Sequence, residues 1–203
     1  MMHLEFLVEE PSAEEALSIL VPRIVGPDAD FAIRIFSGKM DLLRKLPKRM
    51  KAYANWPPGD WRIVVLVDED RQDCRRLKQK MEQACLDAGL GSRSRPLSDG
   101  RVHVVNRLAI EELEAWFFGD LEAVCKAYPR VSTNLEHKYR DPDAIKGGTS
   151  EALERVLRRA GHHRGGLSKI QAARDIASHM DPERNRSRSF CLFRDTLRDL
   201  ACG

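Results

Sequence analysis

The stretch RIVVLVDEDRQDC, Arg62 to Cys74, runs five consecutive apolar residues, Ile63 to Val67, straight into Asp68, Glu69 and Asp70. A short, β-branched, continuously apolar run fits a strand buried on both faces, as the central strand of a parallel sheet is. Ligand sites of open parallel sheets form outside the carboxyl ends of their strands. This strand ends there on three acids with no base between them. If the extended period continues past the strand, Asp68 and Asp70 point to one side and Glu69 to the other.

Working outward, the first 128 residues alternate strands and helices. HLEFLV (3–8) reads as a strand. PSAEEALSILVPRI comes next as a helix, with Ser12 and Glu15 spaced as a capping box. FAIRIF is a second strand, and SGKMDLLRKLPKRMKAY an amphipathic basic helix that Pro47 is expected to interrupt. NWPPGDW is a loop, and a charged helix runs from Arg71 to Ala88, ahead of Gly89. RVHVVNRLA is a fourth strand, leading into one helix over IEELEAWFFGDLEAVCKAY. This rhythm predicts an α/β fold with a central parallel sheet flanked by helices. After Pro129 a polar, loop-like segment reaches Gly148. Helical patterns then occupy SEALERVLRRA, LSKIQAARDIASHM and SFCLFRDTLRDLA. The expected organisation is an α/β core over residues 1–128 and a helical C-terminal extension over residues 129–203.

Composition narrows the class. With 203 residues, 42% apolar and 32% charged, the chain can bury a substantial core, and its apolar runs are too short to cross a bilayer. The N-terminal MMHLEFLVEE has no basic region of the signal-peptide kind, so a cytoplasmic setting is expected. Five scattered cysteines without a CxxC pair argue for reduced thiols over zinc knuckles or a disulfide framework. A net charge of +3 is too small to carry a polyanion argument by itself.

Carboxylates crowded on one side of a sheet repel unless a proton or cation is shared. Glu9 and Glu10 close the first strand as Asp68 and Asp70 close the third, so a hard divalent cation such as Mg²⁺ (or Mn²⁺) is a candidate ligand. The plain alternative is strand-end loop acids, with Asp70 or Asp73 capping the next helix. In the helix expected from Ile110, the residues Ile110, Leu113, Phe117 and Leu121 form an apolar stripe. Glu114 falls inside its range and Glu112 projects from the opposite side. Burial of Glu114 then calls for a partner, a proton or a metal. Its plain alternative is an ion pair with Arg107 or an arginine of the C-terminal helices.

LVEEPSAEE, VLVDED and ELEAWFFGD together resemble the Toprim superfamily, the metal-binding domain of topoisomerases, bacterial primases and overcoming-lysogenization-defect nucleases. Through VEE-x-S, VLVDEDRQDC, ELEAWF-x-GD and NRSRSF-x-LF, the chain more narrowly resembles domain-of-unknown-function family 4276 over nearly its whole length. The resemblance implies a Rossmann-like Toprim fold and Mg²⁺-dependent phosphodiester chemistry. It implies Glu9 as general acid/base or metal ligand and Asp68 and Asp70 as ligands. Glu114 is implied as the additional acid of nuclease-type members, with Glu112 as second choice. Many Toprim members carry glycine where Glu10 stands here, which keeps Glu9 and Glu10 both open as the ligand. An ATPase partner and a place in a bacterial defence or DNA-processing system are also implied.

Nucleic acid as substrate calls for phosphate-positioning cations. The candidates are Lys48, Arg49 and Lys51, with Arg44 and Lys45, on the second helix, Lys146, and Arg184, Arg186 and Arg188 in the late loop. Lys146-Gly147-Gly148 lacks the GxxxxGK[ST] arrangement, so ATP binding by that route is not expected. His162, His163 and Lys169 read as surface loop and first helical turn, and Trp116, Phe117, Phe190 and Phe193 as core. Tyr53, Tyr128 and Tyr139 lack the context of a covalent nucleophile, which favours hydrolysis with two metals about 4 Å apart. The leading expectation is a metal-dependent nuclease or phosphoesterase subunit. The alternatives are a catalytically silent Toprim-fold adaptor and, last, a phosphatase with Asp68 as nucleophile.

Overall fold

The run that decides the class, Trp61–Asp68, is strand β3 of a four-stranded, all-parallel sheet. The strands are β1 (His3–Val8), β2 (Asp30–Ile35), β3 and β4 (Val104–Ala109), in spatial order β2-β1-β3-β4. Among the described residues the helices are α1 (Pro11–Val25), α2 (Lys39–Asn55), α3 (Cys74–Leu86), α4 (Glu114–Gly119), α5 (Leu121–Ala127), α6 (Leu135–Lys138), α7 (Thr149–Arg159), α8 (Lys169–Ala177) and α9 (Arg188–Cys202), with a 3-10 turn at Pro142–Ala144. The computed structural model describes residues 2–55, 60–70, 73–132 and 134–202. Most of the NWPPGDW loop and the first two residues of the helix expected from Arg71 lie outside them.

The chain forms two compact units. Unit one holds Met1–Glu10 and Asp28–Leu108, and unit two holds Pro11–Pro27 and Ala109–Gly203. The 128/129 boundary of the sequence reading falls inside unit two.

In unit one, Leu7, Ile63, Val65 and Val67 point to one face of the sheet. They meet Phe36, the α2 residues Leu42, Leu43, Leu46 and Met50, and the α3 residues Leu77, Met81 and Cys85. On the other face Leu4, Phe6, Val8, Val64 and Leu66 are no more than 3% exposed, so β1 and β3 are buried on both sides, as the apolar run demands. Each such side chain contributes about 1.5–3 kcal/mol on burial. Helix α2 continues through Pro47, where a break was expected, because the ring lies on its exposed side while Leu42, Leu43, Leu46 and Met50 are anchored opposite.

In unit two, the single helix expected from Ile110 starts at Glu114 and is split at Asp120. Asp120 leaves helical geometry (φ −129°, ψ 75°) and accepts from the Ala123 N–H at 3.2 Å as the cap of α5. Its carboxylate also takes Arg184 at 2.8 and 2.9 Å and the Asp181 N–H at 2.8 Å. An aspartate that satisfies a helix start and a guanidinium together gains more outside a helix than inside one. Ser12 lies within α1, and the Glu15 carboxylate is held by Arg174 at 2.7 and 2.8 Å. Arg23 of α1 donates to the carbonyls of Ala177, Ser178 and Met180, closing the end of α8.

The two most distinctive sequence blocks, ELEAWFFGD and NRSRSF, lock onto each other. Asn185 Nδ2 donates to the Trp116 carbonyl at 2.8 Å, and Trp116 Nε1 donates to Ser189 Oγ at 3.0 Å. Ser187 and Ser189 both donate to the Asp143 carboxylate, while the Phe190 and Phe193 rings lie 5.2 and 4.9 Å from Trp116. The late loop of arginines thereby buries Asn185, Ser187 and Ser189. Gly119 is required by this approach: a Cβ there would stand 2.0 Å from Asn185 Oδ1 and 2.9 Å from the Ser187 nitrogen.

Gly119→Ala is therefore expected to destabilise the protein by about 1–3 kcal/mol, read as a lower urea midpoint. An unchanged midpoint would contradict the interlock.

Candidate functional site

Parallel pairing sets β1 on β3 with Val8 opposite Leu66. One residue further, Glu9 Oε1 accepts the backbone N–H of Asp68 at 2.5 Å. It is Glu9, not Glu10, that lies on Asp68, and both are largely buried, at 9% and 8% exposure. The chain leaving β2 closes over them: the Phe36 N–H donates to the Val8 carbonyl and the Gly38 N–H to that of Glu9, each at 2.9 Å. Gly38 takes φ +88°, a backbone that glycine adopts without penalty, and this turn starts α2 at Lys39 beside the acids. The Lys39 ammonium, 7% exposed, donates to the Glu69 carbonyl at 3.0 Å and pairs with Asp70 Oδ2 at 2.9 Å.

These neighbours set the electrostatics. Burial pushes the Glu9 carboxyl above the usual carboxylate range, the Asp68 N–H and the Lys39 charge pull it back, and the charges of Asp70 and Glu10 push it up again. The extended period does not continue beyond the strand, a correction to the expected i, i+2 pairing. Asp70 turns into left-handed backbone at φ +52°, so its carboxylate reaches Lys39 from a turn. Strained non-glycine residues of this kind cost about 1–3 kcal/mol and cluster at functional sites. The cap of α3 is Asp73, whose Oδ1 accepts from the N–H groups of Arg75 and Arg76 at 2.9 and 3.2 Å.

Unit two carries a second acid group with its own lysine. Glu114, the first residue of α4, is 1% exposed, as the apolar stripe predicts. A cation beside it is Lys169, the first residue of α8, 3.3 Å from Glu114 Oε1 and 3.8 Å from Glu112 Oε1. Glu112 Oε2 also accepts from Thr149 Oγ1 at 2.9 Å and the Ser150 N–H at 2.8 Å, where its charge suits the start of α7. Glu111 has φ +62°, so this group also sits beside a strained residue.

Lys39 was missed by sequence reasoning. The signal was present, since Ser37-Gly38-Lys39 comes after β2 at its carboxyl end, the same place that drew attention to the acids. Lys169 was noticed and taken for surface. Among the described residues no three His, Cys, Asp or Glu side chains stand in a metal-holding arrangement. The strand ends do offer hard oxygen donors, like-charge crowding on Glu9 and a lysine that offsets part of it.

Lys48, Arg49 and Lys51 are exposed along α2, while Arg44 and Lys45 are engaged by Asp41 at 2.6 and 2.7 Å. Lys146 is exposed in the turn before α7, Arg188 is exposed at the start of α9, and Arg186 lies 3.7 Å from Glu136. Arg184 is occupied by Asp120. The cysteines at 74, 85, 125 and 191 are free thiols, and no described helix is long and apolar enough to cross a membrane.

Residues 8–200 match the model of a family described as a domain of unknown function (DUF4276). No curated protein matches the chain. Among solved structures it is similar to the C-terminal region of the Xanthomonas campestris pv. campestris OLD protein, phased with iodine. The TM-score is 0.51 at 17% identity, covering 98% of this chain and 95% of that one. A structure of the same region phased with mercury gives a TM-score of 0.49 at 17% identity, covering 98% and 96%. At such identity the first likeness shows the fold alone, while the family match bears out the resemblance to domain-of-unknown-function family 4276 read from the sequence.

Because the folded-state pKa of Glu9 lies above its unfolded value of 4.5, the native state holds that proton more tightly. The resulting stabilisation is present below pH 4.5 and lost as pH rises through the folded value. Glu9→Gln keeps an acceptor for the Asp68 N–H and removes the charge. The variant is expected to melt above the wild type at pH 8, with the gap closing toward pH 4.5. A variant no more stable at pH 8 would contradict the crowding.

Proposed function

The chain belongs to the DUF4276 family, and from that family, its α/β fold and its resemblance to Toprim domains we propose that it is a Mg²⁺-dependent nuclease or phosphoesterase subunit acting on nucleic acid. The observation that carries this reading is Glu9. A buried carboxyl with a raised pKa is held against Asp68 at the carboxyl end of a parallel sheet, with Asp70 and Glu10 adding like charge. Glu9, Asp68 and Asp70 would hold the cation, the donor set Mg²⁺ prefers. The bound ion would supply Lewis-acid charge and a lowered pKa for attacking water.

The protein's own groups support the rest. Glu9, with its pKa displaced upward, suits taking or giving a proton nearer neutral pH. Lys39 is a compact cationic donor for a phosphate oxygen. Lys48, Arg49 and Lys51 on α2, with Lys146, Arg186 and Arg188 in unit two, suit phosphate positioning without base readout. The resemblance gives Glu114, or Glu112, a part in the same chemistry. Hydrolysis is favoured over a covalent tyrosine route: Tyr53 donates to Glu5 and Tyr128 to Asp175, and burial raises both phenol pKa values well above their usual one. An ATPase partner, a cytoplasmic setting and a role in a defence or DNA-processing system belong to the same proposal.

A second reading rests on the lysines. Lys39 on Asp70 and Lys169 on Glu114 are the internal partners expected of a catalytically silent adaptor. Cleavage of single- and double-stranded DNA and RNA with Mg²⁺ or Mn²⁺ separates the two. The nuclease reading expects metal-dependent cleavage that Glu9→Gln lowers by about 10²–10⁴-fold. Cleavage equal in wild type and variant, or none with any substrate, would favour the adaptor. Replacing Lys48, Arg49 and Lys51 together by Gln is expected to raise KM, leave kcat nearly unchanged and flatten the salt dependence. An unaltered KM would remove α2 from the nucleic-acid surface.

A further inference from the structure

The Gly-rich link between α7 and α8 contains His163, a non-glycine residue at φ +48° that makes two directed hydrogen bonds. Its Nδ1 accepts the backbone N–H of Ser168, the cap residue of α8, at 3.3 Å. That bond leaves Nδ1 without a proton and puts the ring hydrogen on Nε2, which lies 2.9 Å from Tyr128 Oη. Tyr128 Oη in turn donates to Asp175 Oδ2 at 2.9 Å, and Asp175 belongs to α8. The four groups close a ring through the first two turns of α8. All donors and acceptors match in one protonation state, the neutral imidazole.

The rest of the link before this helix lies open. Arg164, Gly165, Gly166 and Ser168 are exposed, and the Ser168 side chain makes no capping bond. Lys169 is the next residue, with its ammonium on Glu114 and Glu112. We propose that His163 is a positioning residue, a proton-sensitive latch whose neutral ring holds the start of α8 and thereby keeps Lys169 aligned with Glu112 and Glu114. The functional weight of the latch rests on the nuclease reading, in which Glu114 or Glu112 takes part and Lys169 sets its charge.

An imidazolium would place an N–H on Nδ1 opposite the Ser168 N–H, and two donors cannot bond. The groups facing His163 are Tyr128 from the end of α5, Asp175 from α8 and His162 from its own loop, with the Arg130 guanidinium near Gly161. Burial lowers the His163 pKa and the His162 charge lowers it further, against the pull of Asp175. The latch is intact above the ordinary imidazole range and opens as pH falls below it. His162 differs: its Nε2 lies 2.8 Å from the Pro129 carbonyl, a bond that a protonated ring retains, so it serves as control.

The test is an NMR titration of the full chain from pH 8 to 5, tracking the His163 ring, the Ser168 amide and the Lys169 side-chain carbon next to nitrogen. Expected is one shared midpoint for the three, lost for Ser168 and Lys169 in His163→Asn, whose amide oxygen accepts without titrating, and kept in His162→Gln. Lys169 or Ser168 signals that ignore the His163 midpoint, or that titrate unchanged in His163→Asn, would overturn the latch. These signals are read without any cleavage. If cleavage is found, its acid limb is expected at the same midpoint and absent in His163→Asn. A flat rate beside moving Lys169 signals would count against a part for Glu112 and Glu114 in the reaction while upholding the latch.

Discussion

The pairing of β1 on β3 is the constraint that creates the strand-end group. Two apolar strands in parallel, in register from His3 and Trp61 to Val8 and Leu66, bring their carboxyl ends to the same edge of the sheet, with β3 running two residues further, to Asp68. The residues at their carboxyl ends are then brought together whatever their charge, and here those are Glu9 and Asp68. About 1.5–3 kcal/mol for each buried apolar side chain below them holds the strands in place, so Glu9 stays buried against the Asp68 backbone. The relief available inside unit one is partial: one backbone N–H, one lysine and a turn that takes Asp70 out of the strand line. Burial raises the Glu9 pKa first, and the charges of Asp70 and Glu10 add to it against the pull of the Asp68 N–H and Lys39.

Unit two solves a different problem, which is how to order a set of short helices. Trp116 and Asn185 serve as its centre, one offering an apolar body and the other an amide bonded through both its nitrogen and its oxygen. Asp120 and Asp143 tie the remaining ends through Arg184, Ser187 and Ser189. The residues that make ELEAWFFGD and NRSRSF recognisable as blocks are in large part there for this interlock, so their specificity as motifs speaks to fold more than to chemistry. Glu112 and Glu114 are the exceptions, facing Lys169.

Much of this was legible in the sequence. The apolar run Ile63–Val67 announced a strand buried on both faces, and the alternation of strands and helices announced the parallel sheet. Glu114 was marked as buried by its angular place among Ile110, Leu113 and Phe117, even though the helix begins only at Glu114. The features that were not legible depended on contacts distant in sequence. Asp120 breaks a strongly helical pattern because Arg184 waits for it, Pro47 fails to break one because of the residues packed opposite, and Asp70 leaves the extended period because Lys39 draws it. Lys39 itself reads as an ordinary helix lysine until the turn at Gly38 places it among the acids.

The central proposal is that the strand-end acids would hold a divalent cation. Calorimetric titration of Mn²⁺ and of Mg²⁺ into the folded wild type, beside an Asp68→Asn, Asp70→Asn double variant shown to be folded, tests it most directly. The account predicts saturable binding in the wild type and none in the variant. Saturable binding of equal strength in both would contradict it, and so would absence of binding in the wild type when a nucleic-acid phosphate is also supplied.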